Sequence, residues 1–281
     1  MPNPLINIDA LAARLGESSL ALVDCRFELL QPDWGAEQYP LGHLPGAVYA
    51  HLDHDLSGAK TGRNGRHPLP EPADFRATMG RLGIGPETFV VAYDQADGMW
   101  ASRLWWLLNY YGHTAVQVLD GGLAAWTAAG QPIAAGVVTR PATTFVGEPG
   151  PGWVVLADEI QSRWIGAPDR VIIDARAPER YRGEVEPIDP VAGHIPGAVN
   201  QPYKANVEAD GRFLAPGALR ARYAALLAGR APEQAVTYCG SGVSGAHDVL
   251  AMTIAGLPGA KLYPGSWSEW SSDSARPVAR F

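Results

Sequence analysis

A cysteine followed by a glycine-rich turn is the feature of this sequence that could do chemistry. The segment AVTY at 235–238 has the apolar character of a short strand, Cys239 follows it, and GSGVSG comes next. From 243 to 255 apolar residues recur at helical spacing, which predicts a helix directly after the turn. Such a turn points backbone N–H groups at the sulfur, and the helix dipole adds partial positive charge, so the thiolate is favoured over the thiol. Cys239 is therefore a candidate nucleophile.

The other cysteine, Cys25, lies in the strand-like segment LVDCRF and has no such turn after it. We interpret it as a packing residue, which is the usual place of an isolated cysteine. Two cysteines cannot make a disulfide framework, and no C-x-x-C pair suggests zinc or a dithiol site. A reducing compartment fits this cysteine usage, and we expect a cytoplasmic protein.

Composition limits the partners. Hydrophobic residues make up 47% of the 281 residues and charged residues 18%, which is typical of a globular protein with a substantial core. The formal charge of −7 offers no basic footprint for nucleic acid or an anionic membrane. No apolar run approaches the ~18 residues of a membrane span. We expect a small-molecule or protein partner, with no nucleic acid and no membrane.

The chain contains an internal duplication. Four pairs of segments recur in the same order, at offsets that fall from 150–151 to 144–145. The pairs are LVDCRF at 22–27 with IIDARA at 172–177, GHLPGAV at 42–48 with GHIPGAV at 193–199, VVAYD at 90–94 with AVTYC at 235–239, and LDGGLAAW at 119–126 with YPGSWSEW at 263–270. A repeat of this length predicts two similar domains.

Each copy alternates short apolar strands with helical segments, which predicts an α/β fold with parallel sheets flanked by helices. We expect one domain over 1–140, a Pro- and Gly-rich linker over 141–152, and a second domain over 153–281. The strand that ends in Cys239 in the second copy ends in Asp94 in the first. Only the second copy can therefore supply a thiol nucleophile.

The chain resembles the tandem-domain rhodanese family of sulfurtransferases over nearly its whole length. The residues that carry the resemblance are the paired GH(L/I)PGA motifs, the D-x-R strand ends at Asp24/Arg26 and Asp174/Arg176, and the Cys239 loop. The resemblance implies two rhodanese-like domains, an inactive first copy, and a cysteine of the second copy that cycles through a persulfide. We expect Asp24 and Asp174 to fix loops rather than to take part in the reaction.

Within the family, CGSGV at 239–243 resembles the branch that uses 3-mercaptopyruvate, whereas the thiosulfate-using branch has basic residues directly after the cysteine. In the mercaptopyruvate branch a serine two residues after the cysteine and an aspartate of the first domain move protons, and Ser241 and Asp53 match them. His67 aligns with a substrate-side histidine. The residues predicted to bind substrate or persulfide along the loop are Gly240, Gly242, Val243 and Ser244.

The carboxylate of the donor is held in that branch by two arginines nine residues apart. Arg180 matches the first, but Asp189 stands at the second position. The resemblance therefore implies 3-mercaptopyruvate as donor, with thiosulfate as the alternative. Acceptors would be a thiol such as thioredoxin, or cyanide, and neither a metal nor an organic cofactor is needed. We expect a monomer.

Two further classes of protein share parts of this pattern. Cysteine phosphatases use a similar strand, loop and helix but need an arginine six residues after the cysteine, where this chain has Gly245. A non-catalytic sulfur-relay or binding module is the second alternative, and the presence of Cys239 in its loop argues against it.

Overall fold

The structure, a computed structural model, describes residues 3–281 and divides into two compact units. The first unit contains the chain up to Gly58, together with Leu69–Gly150 and Glu208–Phe213. The second contains Ala59–Pro68, Pro151–Val207 and Leu214–Phe281. Each unit thus takes one short segment from the half of the sequence that mainly builds the other.

The first unit is built on a parallel sheet of five strands in the order β1-β5-β4-β2-β3. The strands are β1 (Leu5–Ile6), β2 (Leu20–Asp24), β3 (Val48–Tyr49), β4 (Phe89–Tyr93) and β5 (Val116–Leu119). The helices are α1 (Ile8–Ala12), α2 (Trp34–Gln38), α3 (Pro72–Arg81), α4 (Ala101–Tyr110) and α5 (Gly122–Ala128), with a 3₁₀ turn over Tyr39–Leu41.

The second unit repeats this plan with a parallel sheet of four strands in the order β7-β6-β8-β9. Its strands are β6 (Val171–Asp174), β7 (Val199–Asn200), β8 (Ala235–Tyr238) and β9 (Lys261–Leu262). Its helices are α6 (Ala157–Glu159), α7 (Pro178–Arg182), α8 (Pro216–Leu227), α9 (Ser244–Ile254) and α10 (Ser266–Trp270), with a π-helical turn over Ile160–Trp164 and 3₁₀ turns over Tyr203–Asn206 and Pro232–Gln234. The two parallel sheets confirm the predicted α/β class.

Strands β2, β6 and β8 are buried along their whole length, as their continuous apolar segments predict. Their registers correspond, because Asp24 pairs with Tyr93 in one sheet and Asp174 with Tyr238 in the other. Parallel strands end at the same edge of a sheet, so the residue after β4 and the residue after β8 occupy equivalent places. These residues are Asp94 and Cys239.

A buried aspartate–arginine pair fixes the loop after the first long strand in each unit. Asp24 accepts from the backbone and guanidinium of Arg26, and Asp174 accepts in the same way from Arg176. Each arginine also donates to the carbonyl of the glycine that begins the GH(L/I)PGA motif of its unit, at 2.7 Å. The loop-fixing contacts predicted for these aspartates are present, because each pair joins a strand end to the motif that follows it.

The apolar cores lie within the units. In the first, Leu22, Val91 and Trp126 belong to one buried cluster, and in the second Ile172, Val236 and Trp267 belong to another.

The sequence predicts a linker at 141–152, and in the structure Gly150 ends one run of the first unit and Pro151 begins one of the second. Over residues 3–281, no helix has the length and apolar character that crossing a membrane requires.

Candidate active site

Cys239 stands directly after β8, at the bottom of a loop that turns into α9. Its Sγ accepts the backbone N–H of Gly242 at 3.1 Å and that of Ser241 at 3.4 Å. The turn needs glycine at 242, where φ is +81° and a Cβ would lie 2.5 Å from the carbonyl oxygen of Pro264. The predicted geometry is therefore present, with two backbone N–H groups directed at the sulfur.

The first residues of α10 support the loop from below. The N–H of Cys239 donates to Ser266 Oγ at 3.1 Å, and the N–H groups of Trp267 and Ser268 donate to the carbonyls of Cys239 and Gly240, both at 2.9 Å. Ser266 is fully buried and has a φ of +54°, which is unusual for a residue other than glycine. Sequence reasoning did not identify Ser266, although its place in the repeated YPGSW segment was visible.

Ser241, two residues after the nucleophile, is hydrogen-bonded to a histidine. Its Oγ lies 2.7 Å from His67 Nδ1. Both side chains are buried, and His67 belongs to the 59–68 segment of the second unit although it stands in the first half of the sequence. Two of the predicted site residues, 174 positions apart, are thus brought together.

Arg180 is the predicted carboxylate ligand, and the structure places it in an ion-pair network. It projects from α7 and bonds Glu186 at 2.6 Å and Asp189 at 3.2 Å. Glu186 also bonds Arg176 at 3.2 Å. Burial raises the pKa of the Asp189 carboxyl, and this effect is opposed by Arg66 and Arg180.

Arg66 is the residue of this network that sequence reasoning missed. Its guanidinium forms an ion pair with Asp189 and lies beside Gly240, where an added Cβ would meet Arg66 Nη2 at 2.6 Å. The same Cβ would lie 3.7 Å from Arg180 Nη1, so two guanidinium groups flank the residue that follows Cys239. The signal in the sequence was an acidic residue, Asp189, where a cation was expected.

The remaining predicted residues divide between the units. Val243 precedes α9 and Ser244 is its first residue, so both lie at the helix N-terminus beside the cysteine loop. Asp53 lies in the first unit, half-buried in the turn after β3, and its N–H donates to His51 Nδ1 at 3.1 Å. The role of Asp53 in proton transfer stays a prediction.

The place where a phosphatase would need its arginine cannot hold one. Gly245 packs against β8 and β9, and a Cβ there would lie 2.8 Å from Leu262 Cδ1 and 3.3 Å from Tyr238 Cα. A long charged side chain would displace the sheet. Among the described residues 3–281, no three His, Cys, Asp or Glu side chains are grouped so as to hold a metal ion.

The equivalent loop of the first unit encloses a carboxylate. Asp94 Oδ1 accepts from the N–H groups of Ala96 and Gly98, and Oδ2 from those of Trp100 and Ala101, over 2.8–3.1 Å. Burial, with a contribution from the charge of Asp97, raises the pKa of Asp94 to about 6. The amides of this loop are therefore occupied by a side chain of the loop itself.

Comparison with known proteins agrees with this geometry. The sequence profile of the rhodanese-like domain matches twice, over residues 7–129 and 157–273. The chain belongs to the rhodanese family. A protein of Pseudomonas aeruginosa named probable 3-mercaptopyruvate sulfurtransferase is 47% identical over 98% of this chain and 97% of its own. The predicted rhodanese resemblance and the duplication are confirmed.

Other rhodanese relatives differ in their names. A putative thiosulfate sulfurtransferase of Mycobacterium tuberculosis is 43% identical over 93% of this chain and 91% of its own. The solved structure of 3-mercaptopyruvate sulfurtransferase from Leishmania major superposes with a TM-score of 0.86 at 32% identity, over 99% of this chain and 77% of that one. These names refer to two different sulfur donors, and the residues around Cys239 are what distinguishes between them in this rhodanese.

Proposed function

We propose that this protein is a sulfurtransferase that takes sulfur from 3-mercaptopyruvate, carries it as a persulfide of Cys239, and passes it to a thiol or to cyanide. The observation that carries the choice of donor is the hydrogen bond of 2.7 Å between Ser241 and His67, two residues from the nucleophile. The name of the Pseudomonas aeruginosa relative supports the same donor.

In the first half-reaction the Cys239 thiolate attacks the sulfur of the donor. A sulfur–sulfur bond forms and the carbon–sulfur bond breaks, and its electron pair stays on the departing carbon as the enolate of pyruvate. The donor sulfur arrives as a thiol, so its proton can pass to that carbon, and pyruvate and a Cys239 persulfide anion result. The N–H groups of Ser241 and Gly242, which already bond the sulfur, stabilise this charge.

Proton transfer distinguishes the two donors. The enolate carbon must be protonated for pyruvate to leave, whereas thiosulfate releases sulfite without needing a proton. A hydroxyl in hydrogen-bond contact with an imidazole can pass a proton from one atom to another. Ser241 and His67 form such a pair, and Asp53 is proposed to contribute to the same transfer.

The charge around Arg180 also favours a singly charged donor. The network contains three cations, Arg66, Arg176 and Arg180, and three carboxylates, those of Asp174, Glu186 and Asp189. Its formal charge is thus zero, which suits a monoanionic carboxylate better than doubly charged thiosulfate. We therefore assign Arg180 to the donor's carboxylate.

In the second half-reaction an acceptor thiolate or cyanide attacks the outer sulfur and Cys239 is regenerated as thiolate. Thioredoxin is the proposed protein acceptor, because its thiol can attack a persulfide. We propose a monomer in the cytoplasm, where a reducing pool keeps Cys239 in its reduced form, acting without metal or organic cofactor.

The test is kcat/KM for 3-mercaptopyruvate and for thiosulfate with a common acceptor, in the wild type and in Ser241→Ala. We expect the wild type to prefer 3-mercaptopyruvate, and Ser241→Ala to lose about 100-fold with that donor, since a positioned proton-transfer group contributes ~10²–10⁴-fold. With thiosulfate the loss should be much smaller. Equal losses with both donors, or a preference of the wild type for thiosulfate, would contradict the proposal.

One observation favours thiosulfate as a second candidate. Two guanidinium groups, those of Arg66 and Arg180, flank Gly240, and cations in that place would also attract a dianion. The same kinetic comparison decides between the donors, with Cys239→Ser as the inactive control for both.

A further inference from the structure

We propose that Arg66 is a specificity-determining residue that binds the carboxylate of the sulfur donor together with Arg180, and that Asp189 is a positioning residue that holds Arg66 there. The inference rests on the proposed function, because it presumes a donor with a carboxylate. It gives a role to the acidic residue that replaces the second arginine in this chain.

Two guanidinium groups converge on one place beside the nucleophile. An added Cβ on Gly240 would lie 2.6 Å from Arg66 Nη2, 3.7 Å from Arg180 Nη1 and 3.8 Å from Arg180 Nη2. Gly240 directly follows Cys239, so a donor whose sulfur meets Cys239 presents the rest of its short chain near these cations. The absence of a side chain at 240 leaves the guanidinium groups next to the loop backbone.

The segment that carries Arg66 is fixed to the second unit by backbone contacts. The N–H of Arg66 donates to Ser268 Oγ at 3.0 Å. Gly65 has a φ of +85°, and a Cβ there would lie 2.7 Å from the carbonyl oxygen of Gly265. The segment and the start of α10 therefore pack backbone to backbone, which determines where the Arg66 side chain begins.

Asp189 determines where that side chain ends. Its two oxygens bond different partners, Oδ1 the guanidinium of Arg66 and Oδ2 that of Arg180. The Asp189 side chain is only 3% exposed, so its charge is compensated by these arginines rather than by water. A shared carboxylate reduces the repulsion between the two cations and allows both to stay near Gly240.

Arg66 and Arg180 are both partly exposed, so their guanidinium groups can donate to a ligand. Their side chains are 24% and 17% exposed, respectively, whereas Arg176 of the same network is 1% exposed and directed to Asp174 and Glu186. Arg66 Nε is buried and has no acceptor among the described residues. A guanidinium presents paired donors that match a carboxylate, so Arg66 and Arg180 can each bond one side of it.

The variants that test the proposal are Arg66→Gln, Arg66→Lys and Asp189→Asn. We expect Arg66→Gln to raise KM for 3-mercaptopyruvate by about 10- to 100-fold and to change kcat much less, because it removes a binding contact away from the reacting sulfur. Product inhibition by pyruvate, which has the same carboxylate, should weaken by a similar factor. Arg66→Lys should lie between these values because it keeps the charge and loses the paired donors.

Asp189→Asn distinguishes positioning from a merely structural role. We expect a smaller rise in KM of about 3- to 10-fold, since Arg66 keeps its charge but is no longer held at Asp189. Asp189→Glu, which keeps the carboxylate, should recover part of the loss. Arg63→Gln is the matched control, because it removes the same charge from an exposed residue of the same segment and should leave KM unchanged.

A relocation variant gives the sharpest result. Arg66→Gln combined with Asp189→Arg moves the second cation to the position that the resemblance predicts, and we expect KM to return to within a few-fold of the wild type. If the double variant is no better than Arg66→Gln, or if Arg66→Gln leaves KM and pyruvate inhibition unchanged, the proposal is wrong. A wild type that does not use 3-mercaptopyruvate would instead overturn the proposed function, so the two failures are distinguishable.

Discussion

The two strand-to-helix loops of this molecule are equivalent in the duplication, but their N–H groups face different side chains. In the second unit the N–H groups of the loop face the sulfur of Cys239, and in the first they face the carboxylate of Asp94. The supporting contacts correspond as well, because Leu123 donates to the carbonyl of Asp94 as Trp267 donates to that of Cys239, both at 2.9 Å. Both loops thus direct backbone N–H groups at the side chain that follows the strand.

The difference shows how two loops with the same backbone plan can hold different side chains. The Asp94 carboxylate satisfies four N–H groups with both of its oxygens. These donors are not left for an incoming ligand, because the anion they bind belongs to the chain. The residue that supports each loop has nearly the same backbone conformation, with a φ of +56° at Gly122 and +54° at Ser266. The two differ in that only Ser266 adds a side-chain acceptor.

Giving the second loop the aspartate of the first should have the largest effect on activity. We expect Cys239→Asp to abolish sulfur loading, with at least a ~1,000-fold loss of kcat/KM, because the nucleophile is gone and a carboxylate takes the loop amides. Mass spectrometry after incubation with donor should show no gain of ~32 Da, the mass of one persulfide sulfur. Cys239→Ser is the control that removes the thiol without adding a charge. Sulfur loading of Cys239→Asp would show that another residue carries the persulfide.

Replacing one acceptor oxygen of Asp94 by a donor should destabilise the first unit. In Asp94→Asn the side-chain NH₂ must face one pair of backbone donors, either those of Ala96 and Gly98 or those of Trp100 and Ala101. We expect a loss of about 2–3 kcal/mol in the free energy of unfolding, measured by urea denaturation, since buried donors are left without an acceptor. Asp97→Asn is the matched control on the same loop and should cost much less. An unchanged stability of Asp94→Asn would show that the loop does not need both acceptor oxygens of Asp94.

The same variant should reveal the titration of Asp94. The pKa of this carboxyl is raised from the ordinary 3.8 to about 6 in the folded chain, so its contribution to stability is full below pH 3.8 and decreases as the pH rises through 6. The stability of the wild type relative to Asp94→Asn should therefore be greater at pH 4.5 than at pH 7.5, by about 1–2 kcal/mol. Urea titrations of both proteins at the two pH values measure this difference. A difference of the opposite sign would show that the loop amides outweigh burial.

The smallest effect on activity is expected from replacing the other cysteine, Cys25. Cys25 follows β2, and its counterpart after β6 is Ala175, so Cys25→Ala makes the first unit like the second. Burial, together with the charges of Asp24, Asp94 and Asp55, raises the pKa of the Cys25 thiol well above its usual range, which keeps it unreactive. We expect kcat/KM to stay within about twofold and one persulfide per chain to form. Loss of loading in Cys25→Ala would contradict the assignment of the nucleophile.

Local pattern was sufficient to predict the elements around the nucleophile. The apolar segment before Cys239 is β8, and the helix expected over 243–255 is Ser244–Ile254. The strand LALVD is β2 at Leu20–Asp24. These elements are determined by residues close in sequence, so their periodicity and turn residues identify them.

Contacts between distant residues could not be predicted in the same way. Arg66 and His67 stand in a segment without helical or strand periodicity, and nothing in that segment indicates that it packs on α10. The resemblance identified His67 and Arg180, because both match the family pattern. It could not identify Arg66, since an ion pair with Asp189 depends on which side chains the fold brings together.

The exchange of segments 59–68 and 208–213 between the units has a consequence for how this protein is made. During synthesis domains generally fold as units, the N-terminal one first. Here the first unit lacks part of its structure until Phe213 has been synthesised. Arg66 and His67 of the second unit are synthesised early, but the Cys239 loop that they contact follows some 170 residues later. Dividing the chain between the two copies would therefore separate Arg66 and His67 from the Cys239 loop.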